Sequence, residues 1–104
     1  MAFQKTQRRY ASFGAATALP KELIDHFWYI IDNYLKGVFP LENLLIFTFS
    51  KSIKNRLVIE YQDKEKQLKI AFDTHFSYDP FLPLRVYIVD NNGIETLLLD
   101  HEIN

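Results

Sequence analysis

The spacing of apolar residues changes period along this chain, and each change predicts an element. Residues 8–13, RRYASF, carry Tyr10 and Phe13 and run into Gly14, which suits a short edge strand. From Pro20 to Lys36 the spacing is helical: Leu23, Phe27, Ile30 and Tyr34 form one stripe, and Ile24, Trp28, Ile31 and Leu35 the stripe beside it. Pro20 fits the first helical position, Glu22 and Asp25 favour the positive end of the helix dipole, and Lys36-Gly37 followed by Pro40 ends the helix. The opposite face, with Lys21, Asp25, Tyr29, Asp32, Asn33 and Lys36, is expected in water.

Beyond the helix the period falls to two. Leu44–Phe49 is a near-continuous apolar run between Asn43 and Ser50, as in a central strand buried on both faces. Leu57, Ile59 and Tyr61, then Leu68, Ile70 and Phe72, occupy alternate positions on either side of the polar stretch 62–67, which predicts a hairpin. Residues 73–83, DTHFSYDPFLP, break the alternation with two prolines and predict a long loop. The last pattern, LRVYIVDNNGIETLLL over 84–99, is a second hairpin around Asn92-Gly93, two residues that accept the positive φ of a tight turn. With a two-residue loop, Ile88 faces Leu97, Val86 faces Leu99, and Arg85 faces Asp100 as a cross-strand ion pair. Leu84, Val86, Ile88, Leu97 and Leu99 then share a core face, and Tyr87, Val89 and Leu98 share the other. A three-residue loop with a bulge at Gly93 instead moves Leu98 beside Val86 and Ile88.

Strand, helix and five further strands on short links define an α+β fold. One amphipathic helix packs on a mostly antiparallel, curved sheet of five to six strands that ends in a β-hairpin. With 104 residues, 48% of them hydrophobic, the chain is expected to form a single domain over 1–104. Five or six strands at about 4.8 Å spacing make a sheet roughly 20–25 Å wide, whereas one helix covers only about 10 Å. The remainder calls for strong curvature, for cover by the 73–83 loop, or for a second subunit.

Composition mainly excludes. The absence of Cys rules out disulfides and thiolate chemistry and points to a cytoplasmic setting. No apolar run approaches the roughly 20 residues that span a bilayer, so no membrane role is expected. A net charge of −1 argues against nucleic acid as a partner, although residues 1–72 carry a net +4 and residues 73–104 a net −5. His26, His75 and His101 lack the local spacing of metal ligands. The serines have no Gly-x-Ser-x-Gly setting, and no glycine-rich loop precedes a helix. No catalytic residue, cofactor or metal is therefore assigned. Lys51, Lys54 and Arg56 form a basic stretch without interleaved aromatics, as expected of a solvated strand connection.

Several spaced residues resemble a small, uncharacterised domain-of-unknown-function family of low-GC Gram-positive bacteria and some of their mobile elements. They are Arg9-Tyr10 with Gly14, Leu23 with Phe27-Trp28 and Ile31-Asp32, Leu44–Phe49, and Val86–Asp90 with Thr96–Leu99 and Glu102. The turn at Asn91-Asn92-Gly93 is longer or shifted relative to the family's Asp-Gly turn. The resemblance implies an α+β fold and a bacterial or phage-related setting; it brings no activity with it.

The expected role is a protein-interaction module, with a homodimer through the uncovered sheet face as one form and another protein as the other. The candidate partner surface is Tyr87, Val89 and Leu98 on the hairpin, together with Phe76, Tyr78 and Phe81 of the 73–83 stretch, whose aromatics serve either as a lid on the core or as an exposed anchor. The alternative is a small ligand-binding domain or enzyme with a pocket between helix and sheet, into which Tyr34, Tyr61 or His75 points.

Overall fold

The computed structural model describes residues 2–103. Strand β1 (Arg8–Ala11) leads into two helices, α1 (Phe13–Ala18) and α2 (Lys21–Ile30), the second continuing as a π-helical turn over Ile31–Leu35. Five strands follow: β2 (Leu44–Lys51), β3 (Arg56–Asp63), β4 (Leu68–Ser77), β5 (Arg85–Asn91) and β6 (Ile94–Leu99), then a 3₁₀ turn at Asp100–Glu102. They make one six-stranded sheet in the order β1-β6-β5-β2-β3-β4. All neighbours are antiparallel except β1, which lies parallel to β6 with Tyr10 beside Thr96.

The expected C-terminal hairpin forms in the two-residue register: Ile88 pairs with Leu97 and Val86 with Leu99. Asn92 (φ 53°) and Gly93 (φ 93°) both adopt positive φ, as a primed turn requires. The predicted Arg85–Asp100 ion pair is replaced: Asp100 leaves the ladder for the 3₁₀ turn and accepts the Tyr87 hydroxyl at 2.7 Å. Leu84 does not join the core face; it precedes β5 and is 88% exposed.

The helical region departs from the single Pro20–Lys36 helix. Six residues, Phe13–Ala18, are too few for periodicity to reveal, yet they close a helix because the Ser12 side chain caps Ala15 N–H at 3.1 Å. Pro20 is the N-cap of α2, with extended ψ of 148°, one position before the first helical residue. At the other end Lys36 N–H bonds Ile31 C=O, a five-residue step that widens the last turn. The apolar stripe therefore passes from Ile30 and Ile31 to Leu35, all buried, and leaves Tyr34 half exposed. Two strand assignments also change. Strand β4 runs to Ser77, well into the predicted loop, because a register shift opposite Arg56–Val58 and a hydrogen bond from Thr74 Oγ1 to Leu57 C=O carry it past the break in alternation. Strand β2 is internal but alternates: Leu45 and Phe47 are buried, whereas Leu44 is 41% exposed.

Both helices lie on one face of the sheet. Beneath them Phe27 packs edge to face on Phe47, with Leu57, Ile59, Tyr61, Val86, Ile88, Leu97 and Leu99 around that pair. Leu19, Leu41 and Phe3 complete the cover, so the remainder of this face is closed by chain segments rather than by curvature alone. Phe3 is fully buried at φ 63° and donates its N–H to Asp90 Oδ2 at 2.8 Å.

One side-chain network fixes the order of these parts. Glu95, on the helix-side face of β6, has no exposed surface. Its carboxylate accepts from Arg9 Nε at 2.9 Å and from the Thr6 hydroxyl. The rest of the Arg9 guanidinium makes a two-pronged contact with Asp32 at 2.8 and 2.6 Å and lies 5.0 Å from the Trp28 ring centroid. The paired carboxylates hold Arg9 firmly protonated, and Arg9 holds the Asp32 carboxyl below its usual range. A second acid, Glu102, accepts from Ser12 Oγ at 2.5 Å, Leu99 N–H at 2.9 Å and Gly14 N–H at 3.2 Å.

Arg9→Met removes the partner of a buried charge and is expected to cost about 3–5 kcal/mol in urea unfolding. Arg9→Met combined with Glu95→Leu is expected to recover most of that loss; equal damage in single and double variants is the opposing result. At Gly93 an added Cβ stands 2.6 Å from Lys5 C=O on a residue with φ +93°, so Gly93→Ala is expected to lose about 1–3 kcal/mol in the same assay.

Candidate functional site

The face of the sheet opposite the helices carries no second layer among the described residues. Strand alternation and register arrange its side chains in rows across the strands. The first row is Tyr10 on β1, Thr96 on β6, Val89 on β5 and Leu44 on β2. The second is Leu98, Tyr87 and Ile46, ending at Gln62 on β3. The third is polar: Arg85, Thr48 and Glu60, then Ala71 on β4. Apolar side chains thus gather over β1, β6, β5 and β2, while β3 and β4 present Glu60, Gln62 and Lys69, the last 3.7 Å from Glu60.

Exposure within the apolar rows is uneven. Tyr10 and Leu44 are 48% and 41% exposed, Val89, Leu98 and Ile46 are half-buried, and Tyr87 is buried beneath its bond to Asp100; beside the first row Ile94, between Arg8 and Asn91, is 43% exposed. The hairpin residues Tyr87, Val89 and Leu98 therefore share one surface, as the two-residue register requires. Phe76 and Tyr78 do not join them: both lie on the helix side, packed against the core. Phe81 is 93% exposed at the tip of the β4–β5 connection and touches neither group. The six candidate residues thus separate into a face, a lid and an isolated tip. Tyr10, Leu44, Ile46 and Ile94 belong to the same face and escaped the sequence reading. Their signal was present in the alternation of Leu44 and Ile46 with buried Leu45 and Phe47.

The polar candidates do not converge. His26 meets His75 edge to face at 6.4 Å and Phe76 at 5.5 Å, where α2 approaches β4, and His101 lies beyond β6 on the other side of the sheet. Tyr61 is packed against Phe47 inside the core, where burial pushes its hydroxyl up to about 12, whereas Tyr34 is half exposed. Among the described residues no three His, Cys, Asp or Glu side chains come together as metal ligands, and no buried side-chain polar atom lacks a partner. Arg56 donates to His75 C=O and Lys51 lies 5.8 Å from the Tyr78 ring, so these two members of the basic stretch serve the β3–β4 and loop contacts. Among the described residues no helix is long and apolar enough to cross a membrane.

Burial, and then the charge of His75, push the His26 pKa below its ordinary value. The unfolded chain then binds a proton at higher pH than the folded chain, so stability is lost as pH falls through about 6.5 and levels off below the folded value. Thermal melts between pH 7.5 and 5.5 are expected to fall more for the parent chain than for His26→Phe; parallel slopes are the opposing result.

The fold is thus an open α+β sheet, helices on one side and an apolar surface on the other. The chain belongs to the DUF960 family, described as a staphylococcal protein of unknown function, whose model matches residues 8–102. It is also similar to the crystal structure of a protein of unknown function from Enterococcus faecalis. The two are 37% identical, with a TM-score of 0.89 over 94% of this chain and 92% of that one. Both comparisons bear out the resemblance to a low-GC Gram-positive family. No curated protein matches the chain.

Proposed function

We propose that this chain is a protein-docking module and that the open face of its sheet receives the partner. The observation that carries this reading is the gathering of outward apolar side chains on β1, β6, β5 and β2, broken by Thr96, on the side without a covering layer among the described residues. An antiparallel sheet with one solvated face ordinarily places polar residues outward. Here the outward positions of β1, β6, β5 and β2 hold Tyr10, Ile94, Leu98, Tyr87, Val89, Leu44 and Ile46. A contiguous patch of that kind, rimmed by Arg8, Arg85, Glu60 and Lys69, has the apolar centre and charged rim of a protein–protein interface.

The partner that fits is another protein with a flat apolar surface and acidic groups at its edge to meet exposed Arg8 and Arg85. Glu60 and Asp73 on the same face oppose a phosphate backbone. The pocket reading has less support, since Tyr61 is enclosed by core side chains and His75 lies at the surface.

Leu44→Lys and Leu98→Lys place a charge in the patch centre, where loss of a buried apolar contact is worth about 1.5–3 kcal/mol. Cross-linked capture from the native cell, read by mass spectrometry, is expected to lose the same partner about tenfold or more with either variant and to keep it with Phe81→Lys. Equal capture by all three, with unchanged melting, overturns the assignment of this face.

A further inference from the structure

We propose that two copies of this chain pair edge to edge through β4, antiparallel about a two-fold axis at Ala71, so that their sheets continue into one. This surface is distinct from the open face, and the inference does not rest on the docking reading.

The two edges of the sheet are unlike. Strand β1 has four residues, whereas β4 has ten and is the last strand on its side. The outer side of an edge strand presents alternate N–H and C=O groups with no ladder partner, a ready template for another strand. Natural edges are blunted by shortness, by Pro, by a bulge, by inward-pointing charge or by an edge lysine; Lys69 is such a lysine, and it admits a second copy only in a register that sets an acid opposite it. Between Leu68 and Asp73 the strand has no proline, its helix-side residues are Leu68, Ile70 and Phe72, and its register with β3 is regular up to the irregularity at Arg56–Val58.

A second copy of the same strand complements this segment in one register. With Ala71 on the axis, residues equally far before and after it face each other. Lys69 then faces Asp73 of the other copy, and the pair recurs by symmetry. On the helix-side face Ile70 meets Phe72, again twice. Ala71 meets itself on the axis, with its side chain on the open face. An axis at Ile70 sets Lys69 opposite Ala71, and an axis at Phe72 sets it opposite His75; both lose the ion pairs. Half-integer registers place core-facing residues opposite the open face and are excluded by the pleat. Within its own chain Lys69 is 62% exposed and reaches only Glu60, at 3.7 Å, so its ammonium is free to meet a second acid.

The helix layer extends the same seam. Tyr34 lies 5.5 Å from Phe72, ring to ring, and Tyr29 lies 5.9 Å from Tyr34; each tyrosine is about half exposed, at 49% and 50%. They supply apolar surface beside the Ile70–Phe72 contacts, where a second copy of β4 would otherwise leave those residues half covered.

Light scattering with size exclusion on the full chain is expected to give twice the 12.3 kDa chain mass. Asp73→Lys sets lysine against lysine and is expected to raise the dissociation constant at least tenfold, and Lys69→Asp with Asp73→Lys is expected to restore dimer. Because the chain has no Cys, Ala71→Cys supplies a sole thiol. A short bis-maleimide is expected to link it to its own copy and to leave Thr17→Cys unlinked. A monomeric parent chain at high micromolar concentration overturns the proposal. So does a dimer that Asp73→Lys leaves intact but Leu44→Lys dissociates, which assigns self-association to the open face. Circular dichroism melts of each variant separate loss of pairing from loss of fold.

Discussion

A buried carboxylate governs the arrangement of this chain. Glu95 sits on the core side of β6 with no surface exposed, and a charge at that depth is costly unless paired and hydrogen-bonded. Arg9 and Thr6 supply the pairing, so the segment that carries them must lie beside β6. That requirement brings the first strand next to the last, in the sheet's sole parallel pairing. The same guanidinium grips Asp32 and lies against Trp28, which ties the end of α2 to the sheet. One cation thereby positions β1, β6 and the helix relative to one another.

The uneven charge of the chain follows from this stitching. Its C-terminal third is acidic, and three of those acids face inward to the N-terminal segment: Asp90 to Phe3 N–H, Glu95 to Arg9, Glu102 to Ser12 and Gly14 N–H. Glu95 meets an opposite charge and the other two accept from neutral N–H and O–H donors, so these acids act as the closure of the fold rather than as a charged surface. Gly14 is part of that closure, since a Cβ there would stand 2.9 Å from the Glu102 carboxyl group. Arg9, Gly14, Trp28, Asp32 and Glu102, which carry the family resemblance, all belong to these contacts.

What was legible in the sequence was whatever a local rule determines. The existence and turn of the C-terminal hairpin were readable because Asn92 and Gly93 accept positive φ, but its register was not, since apolar residues on both faces suit a two-residue loop and a bulged three-residue loop alike; the structure takes the former. The main helix was readable in position and face. Its last turn was not, because the π step breaks the very period used to read it, and Tyr34 gave way to Leu35 in the core. Helix α1 and the burial of Phe3 depend on partners far along the chain, which no window of sequence contains. Of the candidate site, Tyr87 and Val89 followed from parity on β5, whereas Leu98 joined them only through the two-residue register. Leu44 and Ile46 were hidden in an apolar run, because such a run reads alike whether its second face is covered or bare.

The distribution of side chains over that bare face bears on how face and edge work together. Among the described residues the helices and flanking segments form a single covering layer, so the six-stranded sheet keeps one side uncovered by them. The apolar rows lie over β1, β6, β5 and β2, and the polar positions lie over β3 and β4, nearest the long edge. Pairing at β4 therefore consumes none of the apolar surface. It sets the two polar regions side by side at the seam and carries the apolar patches to the outer ends of a continuous sheet. The proposed assembly would present two equivalent copies of the apolar face at a fixed separation, and a partner with two matching sites would gain from effective concentration as well as from contact area. In the proposed pairing, the alternation that keeps the open-face side of the seam polar leaves the edge to a second copy and the apolar face to a different protein.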